Sequence, residues 1–397
     1  MLTQTENEFL TQVGPGTPGG ELLRRYWHPV APVSELSDER PTRFTRILGE
    51  DLVLFLDKSG RVGLIADHCS HRSASLCYGR VEERGIACAY HGWLYDTEGN
   101  ILETPPERND AVIKSVHQTA YPVRRWIGLY WAYLGPQPAP EIPKYDVWAR
   151  RDGRQQVIIQ PLLSANWVQP MENSADPAHL QILHQDTAMR GRTPVNTTRG
   201  FTDDVETFDF YQTSYGLMKK RTYTNGYTDE HPILFPNILR QGNGTQIRVP
   251  LDDKHTYIVF VRFLPSEDGS VVQDETDIPV TYEGPIKQPA DKRHPEAHYT
   301  MHNVQPQDMT MWETQGPIVD RTVEHLSWSD RGIVMYRRLL REQIEQVQMG
   351  LDPLAIVRDP GHEIIDTKLQ ESLDEMTARQ TGGGRDAPRR EPAAAGD

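Results

Sequence analysis

Two short clusters of metal-binding side chains constrain this chain more than any other feature: Cys69-Ser70-His71 and Cys88-Ala89-Tyr90-His91. Each offers one thiolate and one imidazole from a loop. A Rieske-type [2Fe–2S] cluster needs that unequal supply, because one iron keeps two thiolates while the other takes two neutral imidazoles, which raises the reduction potential. Each loop would then give one ligand to each iron. Tetrahedral zinc also accepts two Cys and two His. The single residue between Cys69 and His71 is tighter than zinc-finger spacing, however, the flanks are strand-like, and Gly92 and Trp93 follow the second pair directly. His68 reads as a loop residue behind the first ligand, and Cys77 as a small half-buried side chain.

The chain holds 3 cysteines, two of them in the cluster loops, so no even set remains for a disulfide framework and a reducing compartment is expected. A length of 397 residues allows two domains with separate cores. The net charge of -14 lacks the basic stripe of a nucleic-acid binder. No apolar run approaches the roughly 18 residues of a spanning helix, and the start lacks a basic n-region followed by an apolar h-region. The expectation is a cytoplasmic protein with neither a membrane nor a nucleic-acid partner.

Four segments follow from the pattern along the chain. Residues 1–35 read as a helical arm. Within it, Gly14-x-Gly16-x-x-Gly19 formally matches a dinucleotide fingerprint, but no strand precedes it, and Pro15 and Pro18 remove N–H donors that a phosphate loop would use. A turn before a helix over Glu21 to Tyr26 is expected instead. Residues 36–135 read as an all-β module, with strands at Phe44 to Leu48, Asp51 to Leu56, Val62 to Ala66 and Gly128 to Tyr133. The stiff stretch Gly135-Pro-Gln-Pro-Ala-Pro-Glu-Ile-Pro143 marks a boundary. Residues 136–376 mix helices near Asn173 to His184 and Asp330 to Gln346 with strands such as Thr256 to Phe263, so the fold class is α+β. Residues 377–397 have almost no core-forming side chains and are expected to be disordered.

A second metal site is suggested by His179 and His184 in the predicted helix near Asn173. Five helical steps turn roughly 140° beyond a full revolution, so the two imidazoles converge only if the helix is distorted or ends between them. With a carboxylate they would form a facial triad for non-haem Fe(II), with open positions for O2 and substrate. Asp320, Glu324 and Asp330 are the candidates. Asp330 is chosen because it opens a helix and can face a pocket from a fixed element; its alternative role is simple capping.

These segments, together with Glu172-Asn173-x-x-Asp176-x-x-His179 and Trp312 to Arg321, resemble the oxygenase (alpha) components of Rieske non-haem iron aromatic oxygenases, in the phthalate 4,5-dioxygenase-like group. Val13-Gly-Pro-Gly-Thr-Pro18 is similar to that group's N-terminal signature. The resemblance implies Cys69, His71, Cys88 and His91 as cluster ligands, His179, His184 and Asp330 as iron ligands, and a helix-grip-like catalytic domain in which an antiparallel sheet curls around a long helix. It further implies that Asp176 accepts a hydrogen bond from a cluster histidine of a neighbouring subunit and contacts an iron-bound histidine. The working unit would then be a homotrimer or stacked trimers. Capping of the helix start at Pro177 is the alternative role for Asp176.

The function implied is a terminal oxygenase that uses O2 and electrons from NAD(P)H, relayed by a separate reductase and in some systems a ferredoxin, to hydroxylate a carboxylated aromatic substrate. O-demethylation at the same site is one alternative. An electron-transfer protein without oxygenase activity is another. A substrate carboxylate would need a cation, for which Arg240 and Arg248 are candidates; the alternative for each is a surface or ion-pair arginine.

Overall fold

The computed structural model describes residues 1–109, 111–184, 205–270, 277–292, 295–301 and 303–380. The expected disordered tail therefore lies outside the described residues from 381 onward.

The strand Glu50–Leu56 explains how two cores meet. It pairs antiparallel with Thr42–Ile47 on one side and Val62–Ala66 on the other, and its side chains alternate between faces. Leu52 and Leu54 enter the main core, while Val53 and Phe55 enter a second core containing Cys69, Cys88, Trp93 and Tyr95. That second core also lies under a four-stranded sheet of Arg80–Glu82, Gly85–Ala87, Leu94–Tyr95 and Ile101–Glu103. Strand pairing also extends the β-module back from residue 36 to Trp27, since Trp27–Pro32 pairs with Leu129–Tyr133. Pro29 and Pro32 hide this strand in the sequence, and it is tolerated because it lies at a sheet edge.

In the N-terminal arm, Thr3 and Glu6 form a capping box on the helix Gln4–Thr11. Thr17 caps the next helix, Pro18–Leu23, which begins earlier than expected because Pro18 suits a first helical position. The glycine-rich stretch before it is a packed turn. A Cβ on Gly20 would lie 2.3 Å from the Gly14 carbonyl oxygen, so the turn folds back closely on the helix that follows it.

The catalytic part is an eight-stranded sheet in the order Val205–Thr213, Gly216–Tyr223, Thr228–Leu234, Ile238–Gln241, Gly244–Asp252, His255–Pro265, Gly153–Ile159, Val280–Tyr282. All neighbours are antiparallel except the last pair. The long helix Arg331–Gln348 buries Gly332, Tyr336, Leu340, Gln343 and Val347, a stripe at helical spacing. Ile333 and Met335 are only partly buried beside it. Tyr336 donates its hydroxyl to the Pro236 carbonyl at 2.8 Å, which ties the helix to the sheet. Arm residues Leu10 and Val13, Leu52 of the β-module and Leu340 of the long helix share one continuous core.

Candidate functional site

The two Cys/His loops have the same backbone construction. The Cys69 amide donates to the Ala74 carbonyl and the Ser73 amide returns to the Cys69 carbonyl; the Cys88 amide donates to Trp93 and the Gly92 amide returns to Cys88. The fifth residue of each loop takes a left-handed conformation, Ser73 at φ 59 and Gly92 at φ 74, which glycine adopts freely and serine less readily. Both cysteines are buried and unlinked, whereas His71 and His91 are half-buried with ring centroids 4.5 Å apart. His71 stacks on Trp93 at 4.6 Å, and its buried Nδ1 has no hydrogen-bond partner. Burial, with His71 and Arg72 nearby, holds the His91 imidazole below its ordinary range, the neutral form a metal requires. Tyr95 places its hydroxyl 3.0 Å from Cys69 Sγ and 3.0 Å from Ser70 Oγ. His68 stays on the loop, its Nδ1 3.2 Å from the Ser73 carbonyl, and Cys77 is half-buried.

The second site is assembled by a broken helix. Instead of one helix from Asn173 to His184, the chain forms Val168–Ser174 and Ala178–Leu183, because Pro177 has no N–H and disfavours helical geometry at Asp176. His179 lies in the first turn of the second piece and His184 just past its last residue. Their ring centroids are 5.4 Å apart. Among the described residues, His179, His184 and Asp308 form the one group of three or more ligand-type side chains with atoms within 4.8 Å of one another. Asp308 Oδ1 lies 3.7 Å from His179 Nε2 and 3.3 Å from His184 Nε2. That oxygen is buried without a hydrogen-bond partner, so this donor set fits a divalent iron.

Asp330 is not part of this group, which corrects the sequence-based choice. Its carboxylate accepts from the Ser327 amide at 2.7 Å and caps the turn before the long helix. Glu324 is paired with Arg337, and Asp320 accepts from the Thr322 amide. Asp308 instead comes from the helix Val304–Thr314. Gln169 docks that helix by donating to the Trp312 and Gly316 carbonyls at 2.8 and 3.0 Å.

The outward-facing nitrogens of both imidazoles also meet protein oxygens. His184 Nδ1 lies 2.8 Å from Gln307 Oε1, while the Gln307 amide nitrogen donates to the Met301 carbonyl. His179 Nδ1 faces Asp176 Oδ2 at 3.4 Å. Asp176 also accepts from the Ala178 amide at 2.8 Å, so capping and histidine contact coexist. Burial alone would raise the Asp176 carboxyl, but His179, the Ala178 amide and Lys219 outweigh it and hold it low. Below the helix break, Glu172 is buried and accepts from Arg321 at 2.8 Å and from Arg337 at 2.6 Å, clamping the first helix piece to the long helix.

A cavity of about 630 Å³ opens beside the triad. Lys219, Arg221, Arg240 and Arg262 line it, with Phe260 and Leu264 supplying apolar wall. Burial pushes the Lys219 ammonium down to about 8, and it donates to the Ser174 carbonyl at 3.0 Å. Neither predicted arginine is a surface group; both are 1% exposed. Arg240 lines the cavity and donates three of its five N–H groups, to Thr367, Gly242 and Ser372. Arg248 lines a smaller side cavity of about 180 Å³ and grips the helix carrying Ser174 through Pro170 and Ser174, with Gln246 Oε1 also accepting at 2.6 Å. Sequence reasoning missed Arg262. Its half-buried guanidinium lies over Phe260; within the described residues it makes no hydrogen bond or close ion pair, and Glu283 is the carboxylate whose charge it feels. A wider cleft of about 780 Å³ at Glu35, Arg43 and Tyr282 holds none of the candidate ligands.

The chain is similar to known proteins over most of its length. A family model for the Rieske [2Fe-2S] domain matches residues 26–122, and one described as LigXa C-terminal domain like matches residues 292–366. The 5,5'-dehydrodivanillate O-demethylase oxygenase subunit of Sphingobium sp. (strain NBRC 103272 / SYK-6) is 39% identical over 91% of this chain and 85% of its own length. The phthalate 4,5-dioxygenase oxygenase subunit of Pseudomonas putida is 34% identical over 88% of each. In fold, the chain is similar to the terminal oxygenase of carbazole 1,9a-dioxygenase from Nocardioides aromaticivorans IC177. The TM-score is 0.62 and the identity 17%, covering 86% of this chain and 98% of that one.

Proposed function

We propose that this chain, which belongs to the Rieske non-haem iron oxygenases as a terminal oxygenase subunit, oxidises an aromatic carboxylate in the cavity beside His179, His184 and Asp308. Cys69, His71, Cys88 and His91 would hold the [2Fe–2S] cluster, and the three cavity residues the mononuclear iron. When bound, these groups supply electrons and activate O2 for insertion into the substrate. The observation that carries the carboxylate reading is Arg262: a half-buried cation that feels Glu283 only at longer range and makes no close ion pair stands in the wall of an otherwise part-apolar cavity, and a substrate carboxylate would complete it. Phe260 and Leu264 would receive the ring.

Electrons would come from NAD(P)H through a separate reductase, with or without a ferredoxin. Asp176 supports delivery from a second copy of the chain, since its side chain keeps 23% of its surface exposed while touching His179. His71 and His91 are half-buried on the loops that would approach it. A ring of three copies in the cytoplasm is the simplest assembly with that contact. No helix among the described residues is long and apolar enough to cross a membrane.

O-demethylation is the second reading, in which a methoxy carbon is oxidised and formaldehyde leaves. The name of the relative at 39% identity favours it. Oxygen uptake with a surrogate reductase, measured against phthalates, phenoxybenzoates and methoxylated aromatic acids, tests both. Formaldehyde released in step with O2 identifies demethylation, and its absence alongside hydroxylated product identifies ring attack. Uptake stimulated equally by neutral aromatics and their acids, and unchanged in Arg262→Met, would overturn the carboxylate reading.

A further inference from the structure

The strands Gly216–Tyr223 and Thr228–Leu234 give the cavity Lys219, Arg221 and His231. In their register Lys219 faces His231 and Arg221 faces Asp229. Arg221 donates two hydrogen bonds to Asp229, at 2.7 and 2.6 Å, and Tyr223 adds a third to the same carboxylate at 2.9 Å. Arg221 and Asp229 therefore neutralise one another. The guanidinium also reaches His231 Nε2 at 2.8 Å.

That last contact fixes the imidazole. Arginine keeps its protons throughout the working range and has no acceptor, so His231 Nε2 must accept. Asp229 Oδ2, at 3.6 Å from Nε2, is too distant to reverse the polarity. Burial and Arg221 hold His231 below its ordinary range despite Asp229, so the ring carries a single proton, on Nδ1. Within the described residues no protein acceptor meets Nδ1, and the ring borders the cavity that also contains His179, His184 and Asp308. A polar N–H at the edge of the cavity calls for an acceptor, and a substrate that displaces water there can supply one.

We propose that His231 is a substrate-binding residue, fixed by Arg221 as the Nδ1–H tautomer, which donates one hydrogen bond to an uncharged oxygen substituent on the substrate ring. A methoxy, phenolic or carbonyl oxygen would serve. This contact, combined with anchoring of the carboxylate elsewhere, decides which carbon faces the metal-ligand triad. The inference rests on the aromatic-acid reading above and adds a second recognition point to it.

Matched benzoates bearing either a methoxy or a methyl group at the ortho, meta or para position test it, with affinities for the holoenzyme measured by calorimetry. Wild type should prefer one methoxy isomer over its methyl twin by on the order of tenfold. His231→Leu should lose that preference. His231→Gln should keep most of it, because its carbonyl can accept from Arg221 while its amide donates onward. Comparing two ligands on each variant removes general effects on folding. A methoxy preference retained in His231→Leu, or lost equally in His231→Gln, overturns the proposal. Wild type binding both twins equally at every position overturns it while leaving the aromatic-acid reading intact; wild type binding no benzoate overturns both.

Discussion

His184 turns Nε2 toward Asp308 Oδ1 at 3.3 Å while its Nδ1 lies 2.8 Å from Gln307 Oε1, so adjacent residues of one helix address the two nitrogens of one ring. Asp308 offers a ligand oxygen, and Gln307 fixes the tautomer that leaves Nε2 with its lone pair. Asp308→Ala should lose mononuclear iron while keeping the cluster, and Asp330→Ala should keep both. Gln307→Leu should weaken iron binding by roughly 10–100-fold, the usual cost of removing such a supporting bond. Metal analysis against the cluster's electron-paramagnetic-resonance signal checks all three. Full iron retention in Asp308→Ala would return Asp330 to consideration.

Asp176 has one oxygen on the Ala178 amide and the other facing His179. An amide in its place can still accept the capping bond but brings no charge to the imidazole. Asp176→Asn should therefore retain both metals and the native assembly mass, yet lose at least about tenfold in turnover, as removal of an outer carboxylate does elsewhere. Single-turnover oxidation of the pre-reduced cluster separates the electron-delivery role from a structural one. Wild-type rates in that assay would exclude the role.

Gly332 allows the long helix to press against the helix break. A Cβ there would lie 2.1 Å from the Ala175 carbonyl oxygen and 2.4 Å from the Phe210 ring, next to Asp176. Gly332→Ala must displace backbone, at an overpacking cost of about 1–3 kcal/mol, and should weaken iron binding more than it disturbs the cluster. Thermal unfolding and metal content of the same preparation check this, and unchanged values for both would show that the break is not held by this contact.

Much of the cluster module is visible in sequence because its determinants are local. Alternation along Glu50–Leu56 follows the pleat, and both Cys/His loops close within a few residues of their cysteines. The iron site depends on distant contacts. Nothing near Asp308 separates it from Asp320, Glu324 or Asp330 until Gln169 has docked the helix Val304–Thr314; Pro306 in that helix's first turn marks a helix start but not a ligand. Arg248, expected as a cation for substrate, is instead an interior clamp, and Arg262 carries no signal in the sequence, because burial and pairing are set by strands that meet only in the folded sheet.

His28 provides a pH test that does not depend on either metal. It is fully buried, with Nε2 2.8 Å from the Leu23 carbonyl, and burial holds its imidazole down to about 4 from an ordinary 6.5. The unfolded chain thus binds a proton in the window between those values that the folded chain does not, so stability rises with pH across it and falls as pH drops from 6.5 toward 4. The full difference is about 3 kcal/mol, at roughly 1.36 kcal/mol per pKa unit. His28→Gln preserves a donor for the Leu23 carbonyl but cannot titrate. Denaturant midpoints taken from pH 4 to 7 should therefore decline less steeply toward acid in the variant than in wild type. Parallel curves would mean that His28 is protonated in the folded protein, contrary to the burial and hydrogen bond seen here.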